Sequence, residues 1–88
     1  MNVIFKKAFL KDLQKLPLDI RTIVEKEVFE TFPNLQNLLT QSQVKKIVGY
    51  ENYYRIRVRS YRVGFELRSE TVVFYRVLHR KEIYRYFP

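Results

Sequence analysis

Arginine recurs at residues 55, 57, 59 and 62 within the stretch YYRIRVRSYRVGFE, residues 53–66. Tyr54, Ile56 and Val58 alternate with these arginines, and Tyr61, Val63, Phe65 and Leu67 continue the apolar set. Alternation of period two is the pattern of strands with one face buried and one in water. If the chain reverses at Arg59–Ser60, Val58 faces Tyr61, Ile56 faces Val63, and Arg57 falls opposite Arg62. Like charges placed directly opposite destabilise a strand pair by roughly 0.2–1 kcal/mol. Only Glu66 lies on that face to offset them. An anion seated among the arginines turns the repulsion into attraction, and the planar guanidinium fork suits phosphate oxygens. The expected ligand is a phosphodiester; the alternative is a row of solvated charges screened by salt. A third strand paired through a three-residue loop would bring Arg76 opposite Arg62, and Gly64 would leave open space for a base or ribose.

Cutting a phosphodiester needs more than cations. The chain shows no paired carboxylates, glycine-rich loop, nucleophile elbow or metal cluster, and it has no cysteine and one histidine. Metal-assisted nuclease chemistry is therefore not expected, and no cofactor is called for. RNA carries its own nucleophile in the 2′-OH. A site without metal then needs a group to take the 2′ proton, cations to hold the phosphorane charge, and a group to assist the leaving 5′ oxygen. Arginine serves the second need and not the first, since its pKa lies above about 12. His79, Lys81, Glu51 and the tyrosines remain as proton carriers.

The charge distribution points the same way. Residues 1–43 carry six Lys/Arg against five Asp/Glu, whereas residues 44–88 carry eleven against four, so nearly all of the net +8 lies in the second half. The cation also changes, from five lysines and one arginine to eight arginines and three lysines, and all seven tyrosines fall in the second half. A basic, arginine-rich segment interleaved with aromatics reads as a nucleic-acid surface. With 88 residues and 47% apolar composition, one globular domain spanning 1–88 is expected. The lysines and aspartate in MNVIFKKAFLKDLQKL argue against a secretory signal. No apolar run approaches the roughly 20 residues that span a bilayer. A soluble, cytoplasmic protein that makes no membrane contact is expected, and the lack of cysteine fits a reducing compartment.

The elements that would position the arginines are readable in outline. Residues 2–5 form a short strand. Phe9, Leu10, Leu13 and Leu16 then recur at helical spacing, and a second helix, residues 18–32, carries Ile20, Ile23, Val24 and Val28. Pro17 and Pro33 punctuate the two. NLQNLL, residues 34–39, reads as a last helical turn and VKKIV, residues 44–48, as a brief strand ended by Gly49. Strands over 53–58, 61–67 and 71–78, joined by short loops, make an antiparallel meander. The tail HRKEIYRYFP either continues the third strand or forms a short end segment. The expected fold is α+β: a helical hairpin on one face of a small twisted antiparallel sheet (β-α-α-β-β-β), the other face concave and lined by arginine.

The order of these parts, with the motifs YYRIRVRSYRVGFEL, TVVFYRVLHR and KEIY, resembles the RelE/ParE superfamily of bacterial toxin–antitoxin toxins over about residues 2–84. The resemblance implies a small basic toxin neutralised by a small acidic antitoxin. RelE-like members enter the A site of the 70S ribosome and cut mRNA there without metal, by 2′-OH attack. It further implies catalytic roles for Arg55, Arg57, Arg62, Arg80 and Tyr84. Lysines often stand in such sites where this chain has Arg55 and Arg57, a departure that leaves the base open; His79 is the first choice and Lys81 the second. Arg59, Arg76, Lys81 and Arg85 are expected to contact RNA. ParE-like members share the fold but poison DNA gyrase, and a non-catalytic RNA-binding module is the third alternative.

Overall fold

The computed structural model describes residues 2–34 and 41–88. Strand β1 (Asn2–Phe5) leads into helices α1 (Lys7–Gln14) and α2 (Leu18–Lys26). Pro17 stands between them with φ −53°, a geometry that ends α1 and opens α2 without needing an N–H. Beyond Lys26 the helix widens to a π turn over Glu27–Thr31 and then tightens to a 3-10 turn over Phe32–Asn34, which contains Pro33. The helical turn expected over residues 34–39 lies outside the described residues beyond Asn34. Four strands follow, β2 (Val44–Lys46), β3 (Tyr53–Val58), β4 (Tyr61–Arg68) and β5 (Thr71–His79), and a four-residue helix, α3 (Ile83–Tyr86).

The sheet order is β1-β5-β4-β3-β2. β3 through β5 form the expected antiparallel meander and β2 adds a fourth antiparallel strand beside β3, but β1 joins β5 in parallel, from Asn2 opposite Thr71 to Phe5 opposite Phe74. The sheet is therefore mixed rather than purely antiparallel. The crossover through α1 and α2 makes this possible, since parallel neighbours need a long connection. β5, apolar on both faces, lies between two strands as its composition suggests.

One face of the sheet packs against α1 and α2. Phe9, Leu13, Ile20, Val24, Val28 and Phe32 from the helices meet Ile56, Val58, Val63, Phe65, Phe74 and Val77 from the strands, all buried. The Phe65–Phe74 and Phe9–Phe74 ring centroids lie 5.9 and 5.6 Å apart. Each such side chain contributes about 1.5–3 kcal/mol on burial, which is how so short a chain sustains a core. Leu10, placed in the helical stripe by its spacing, is instead 40% exposed.

The opposite face is not simply a concave arginine surface. α3 and the β2–β3 loop cover part of it, where Ile47, Ile83 and Phe87 are buried against Tyr53, Tyr75 and Leu78. The space expected at Gly64 is filled by the Phe87 ring: a Cβ on residue 64 would lie 2.7 Å from Phe87 Cγ and Cε2. The tail thus turns back over the sheet instead of extending β5. None of the helices among the described residues is long and apolar enough to cross a membrane.

Candidate functional site

The hairpin of β3 and β4 turns at Arg59–Ser60, with Arg59 in the left-handed region at φ 53°. Val58 pairs with Tyr61, Ile56 with Val63 and Arg57 with Arg62, the register expected from alternation. The third strand departs from it. β4 and β5 are joined by two residues rather than three, and a bulge between Gly64 and Phe65 shifts the register again. The two shifts add, so Leu78 stands opposite Arg62 and Arg76 stands opposite Gly64.

Arg76 consequently does not extend the row. Its guanidinium donates to both carboxylate oxygens of Asp12 on α1, at 2.6 and 3.0 Å, and lies 5.0 Å from the centroid of the Tyr86 ring. Asp12 also accepts the Val77 N–H at 3.2 Å, where β5 runs past the end of β1. The Asp12 hydrogen bond holds Arg76 above the usual arginine range. This pair ties α1, β5 and α3 together.

Arg62 is the centre of the cluster. Its Nη1 donates to the carbonyl oxygens of Arg59 and Tyr61, at 2.8 and 2.9 Å, which fixes the guanidinium at the hairpin end. Burial first, and then the fields of Arg55, Arg57 and Arg80, push its pKa below the ordinary value, with Tyr84 opposing. Those influences reveal the neighbourhood: three cations and a phenol around a fourth cation. Arg80 is brought there by its own backbone, whose N–H donates to Ser60 O at 2.8 Å. Arg55 donates to the Gln43 carbonyl at 3.0 Å. Glu66 does not neutralise the set. It accepts from Arg68 at 2.8 Å and from the Tyr75 hydroxyl at 2.7 Å, toward the other end of the hairpin. Burial and that carboxylate push the Tyr75 hydroxyl up to about 12.

Of the residues assigned to catalysis, Arg55, Arg57, Arg62, Arg80 and Tyr84 come together. His79 does not. It pairs with Tyr61, the two rings meet edge to face at 5.4 Å, and Tyr61 packs on the helical side. His79 there shares a cleft with Asp12, Lys15 and Glu82, and its Nδ1 accepts the Lys81 N–H at 3.2 Å. Arg59 forms an exposed ion pair with Asp19 at 3.3 Å. Lys81 and Arg85 are exposed in the turn after β5 and on α3, and Glu51 is exposed in the β2–β3 loop.

Two cations of the site escaped the sequence reading. Lys45 stands opposite Arg55 in the β2–β3 pair, and Lys45, Lys46, Arg55 and Tyr84 line one cleft of 360 Å³ with Ile47 and Val48. The signal was present in VKKIV, but only the strand register shows which residue that lysine faces. The arrangement offers four guanidinium groups, two amines and a phenol around a space open to solvent. It can hold and stabilise a dianionic phosphorane, and its amines and phenol are groups able to exchange protons.

Comparison with known proteins agrees with this geometry. The family model described as the ParE toxin of the type II toxin–antitoxin system parDE matches residues 3–84. A protein named Toxin RelE3 from Methanocaldococcus jannaschii is 49% identical over 89 residues, covering 100% of both chains. The toxin in the RelB–RelE antitoxin–toxin complex from Methanococcus jannaschii has 48% identity and a TM-score of 0.81, over 97% of this chain and 99% of that one. The RelBE2 toxin–antitoxin complex from Mycobacterium tuberculosis gives 28% identity and a TM-score of 0.68, over 90% and 96%. With its β-α-α-β-β-β-β-α order and its arginine hairpin matched along nearly its whole length, the chain belongs to the ParE toxin family of the RelE/ParE superfamily.

Proposed function

We propose that this toxin is a ribosome-dependent mRNA endonuclease that uses the substrate's own 2′-OH and no metal. The 2′ oxygen attacks the adjacent phosphorus, the 5′ oxygen leaves with a proton, and a 2′,3′-cyclic phosphate and a 5′-OH end result. Arg62, held by two carbonyls, and Arg55, Arg57 and Arg80 around it stabilise the charge that grows on the non-bridging oxygens. Proton transfer falls to groups that line the cluster, the Lys45 amine and the Tyr84 hydroxyl, because His79 faces the helices. The observation that carries this reading is a cation cluster at the hairpin end, with Arg57 directly opposite a carbonyl-held Arg62, Arg80 tied to the turn at Ser60, and Glu66 engaged by Arg68 and Tyr75.

By the same reading the partner is a small acidic antitoxin. The relatives from Methanococcus jannaschii and Mycobacterium tuberculosis were solved as antitoxin–toxin complexes, and a surface this basic favours an acidic cover. The test is primer extension on an mRNA translated with the toxin present, beside a ribosome-free control. Cuts that require the ribosome support the proposal. The matching family is described by its ParE toxin, so inhibition of DNA gyrase supercoiling without mRNA cleavage would establish the alternative target.

A further inference from the structure

The β2–β3 loop, residues 47–52, sits beside the arginine cluster and is not used by the chemistry above. Ile47 anchors it in the small core under α3, and its N–H donates to Tyr53 O at 2.8 Å. Gly49 takes φ 88°, a left-handed turn. That turn leaves Val48 95% exposed and Tyr50 51% exposed, next to Lys45 and Lys46 on the adjoining strand. Tyr50 is not loose: its ring meets Tyr53 edge to face at 6.1 Å, and Tyr53 meets Phe87 in the same way at 5.6 Å. One edge of the Tyr50 ring is therefore held by a file of aromatics while about half of its surface stays open.

Two clefts meet here. The first, of 360 Å³, runs from Tyr84 and Arg55 to Lys46 and Val48; the second, of 320 Å³, runs from Lys46 and Val48 to Tyr50 and Glu51. They share Lys46, Ile47 and Val48, so they form one track leading away from the arginine cluster. Cations along a groove with an aromatic ring at its end is the pattern that holds single-stranded nucleic acid, the backbone on the charges and a base on the ring.

The geometry points to a second nucleotide subsite on this loop: Lys46, which lines both clefts, holds a phosphate next to the one being cut, and Tyr50, backed by Tyr53, stacks the base of that flanking nucleotide. It rests on the RNA-cleavage reading for its starting point. The occupant is single-stranded RNA rather than a protein segment, because the track is lined by Arg55, Lys45 and Lys46 and is continuous with the phosphate site. Its role is to fix the register of the strand, and with it the preference for the base beside the cut.

Two measurements test it. The first uses the free protein at low salt and a short fluorescein-labelled oligoadenylate with 2′-O-methyl riboses, which cannot be cleaved. Tyr50→Ala is expected to weaken binding about 5- to 150-fold, the ~1–3 kcal/mol worth of one base–aromatic stack. Tyr50→Phe should restore it, and Lys46→Ala should lower the salt dependence by about one ion. The second uses ribosome-bound mRNA with an abasic residue beside the cut site. The parent should lose cleavage efficiency on base removal, while Tyr50→Ala, already impaired, should be indifferent to it. A parent that does not bind the oligonucleotide, equal binding by parent and Tyr50→Ala, or equal response of both to the abasic residue would overturn the subsite. Loss of antitoxin binding in Tyr50→Ala with oligonucleotide binding intact would overturn it in favour of a protein surface. Binding through Tyr50 in a protein that cuts no mRNA would support the subsite and remove the cleavage reading.

Discussion

Arg57 and Arg62 stand directly opposite each other on β3 and β4, and the Arg62 guanidinium is fixed by two backbone carbonyls rather than by a carboxylate. Like charges set directly opposite cost the folded chain some stability. The chain has acids enough to pair elsewhere: Asp12 takes Arg76, Asp19 takes Arg59 and Glu66 takes Arg68. Under the proposed function the unpaired charge is concentrated where a phosphate would be held, electrostatic preorganisation at the expense of local stability.

Proton transfer separates His79, the first choice from the sequence, from Lys45, which only the strand register brings to the site. His79→Ala should leave cleavage within a few-fold of the parent, since its ring lies with Tyr61 on the helical side. Lys45→Arg keeps the charge beside Arg55 and removes the amine, so cleavage should fall about 10²- to 10⁴-fold, the range for loss of a general acid or base. Single-turnover rates on ribosome-bound mRNA compare the two. A large loss in His79→Ala with Lys45→Arg unaffected would reverse the assignment.

Gly64 reports on the tail. The Phe87 ring occupies the place of a side chain on residue 64, so Gly64→Ala must push the tail outward. Overpacking of this kind costs about 1–3 kcal/mol. Tyr84 rides on the same tail, and cleavage should drop with stability, although residue 64 has no chemistry of its own. Thermal melting beside the cleavage assay checks both; unchanged melting would mean that Phe87 is not seated there.

Alkaline stability should depend on Tyr75. Its hydroxyl is raised from 10.0 to about 12, first by burial and then by the Glu66 hydrogen bond. The folded state therefore favours the protonated phenol more than the unfolded state does. That stabilisation is complete below pH 10 and is lost as the pH rises from 10 toward 12. Melting temperature followed over this window should fall less in Tyr75→Phe than in the parent. Parallel curves would place the Tyr75 hydroxyl outside the Glu66–Arg68 network.

Much of this arrangement was legible in the sequence, and the parts that were not share a physical cause. The Arg57–Arg62 pairing could be read because a two-residue turn and strict alternation leave one register that buries Ile56, Val58 and Val63. Arg76 could not be placed, because its neighbour depends on a bulge at Gly64/Phe65 that local pattern does not announce. The pairing of β1 with β5 joins residues about seventy positions apart, beyond any local periodicity. α3 is one turn long, too short to show a period, so the closure of Phe87 over Gly64 was invisible and that face looked empty. Lys45 lay in a three-residue strand whose partner was unknown. The arginine types and the tail tyrosine pointed to the site; their meeting at Arg62 is set by tertiary structure.

The most direct test is the cleavage rate of Arg62→Ala on ribosome-bound mRNA, read with its melting temperature. Only two part-exposed hydrogen bonds are lost and a like-charge pair is relieved, so the variant should melt with the parent or slightly above it, by at most a few tenths of a kcal/mol. Its cleavage rate should fall about 10²- to 10³-fold, as when one preorganised donor to a developing oxyanion is removed. A variant that cuts at the parent's rate, or that loses activity only because it unfolds, would show that Arg62 serves the fold and that the cluster is not the site of chemistry.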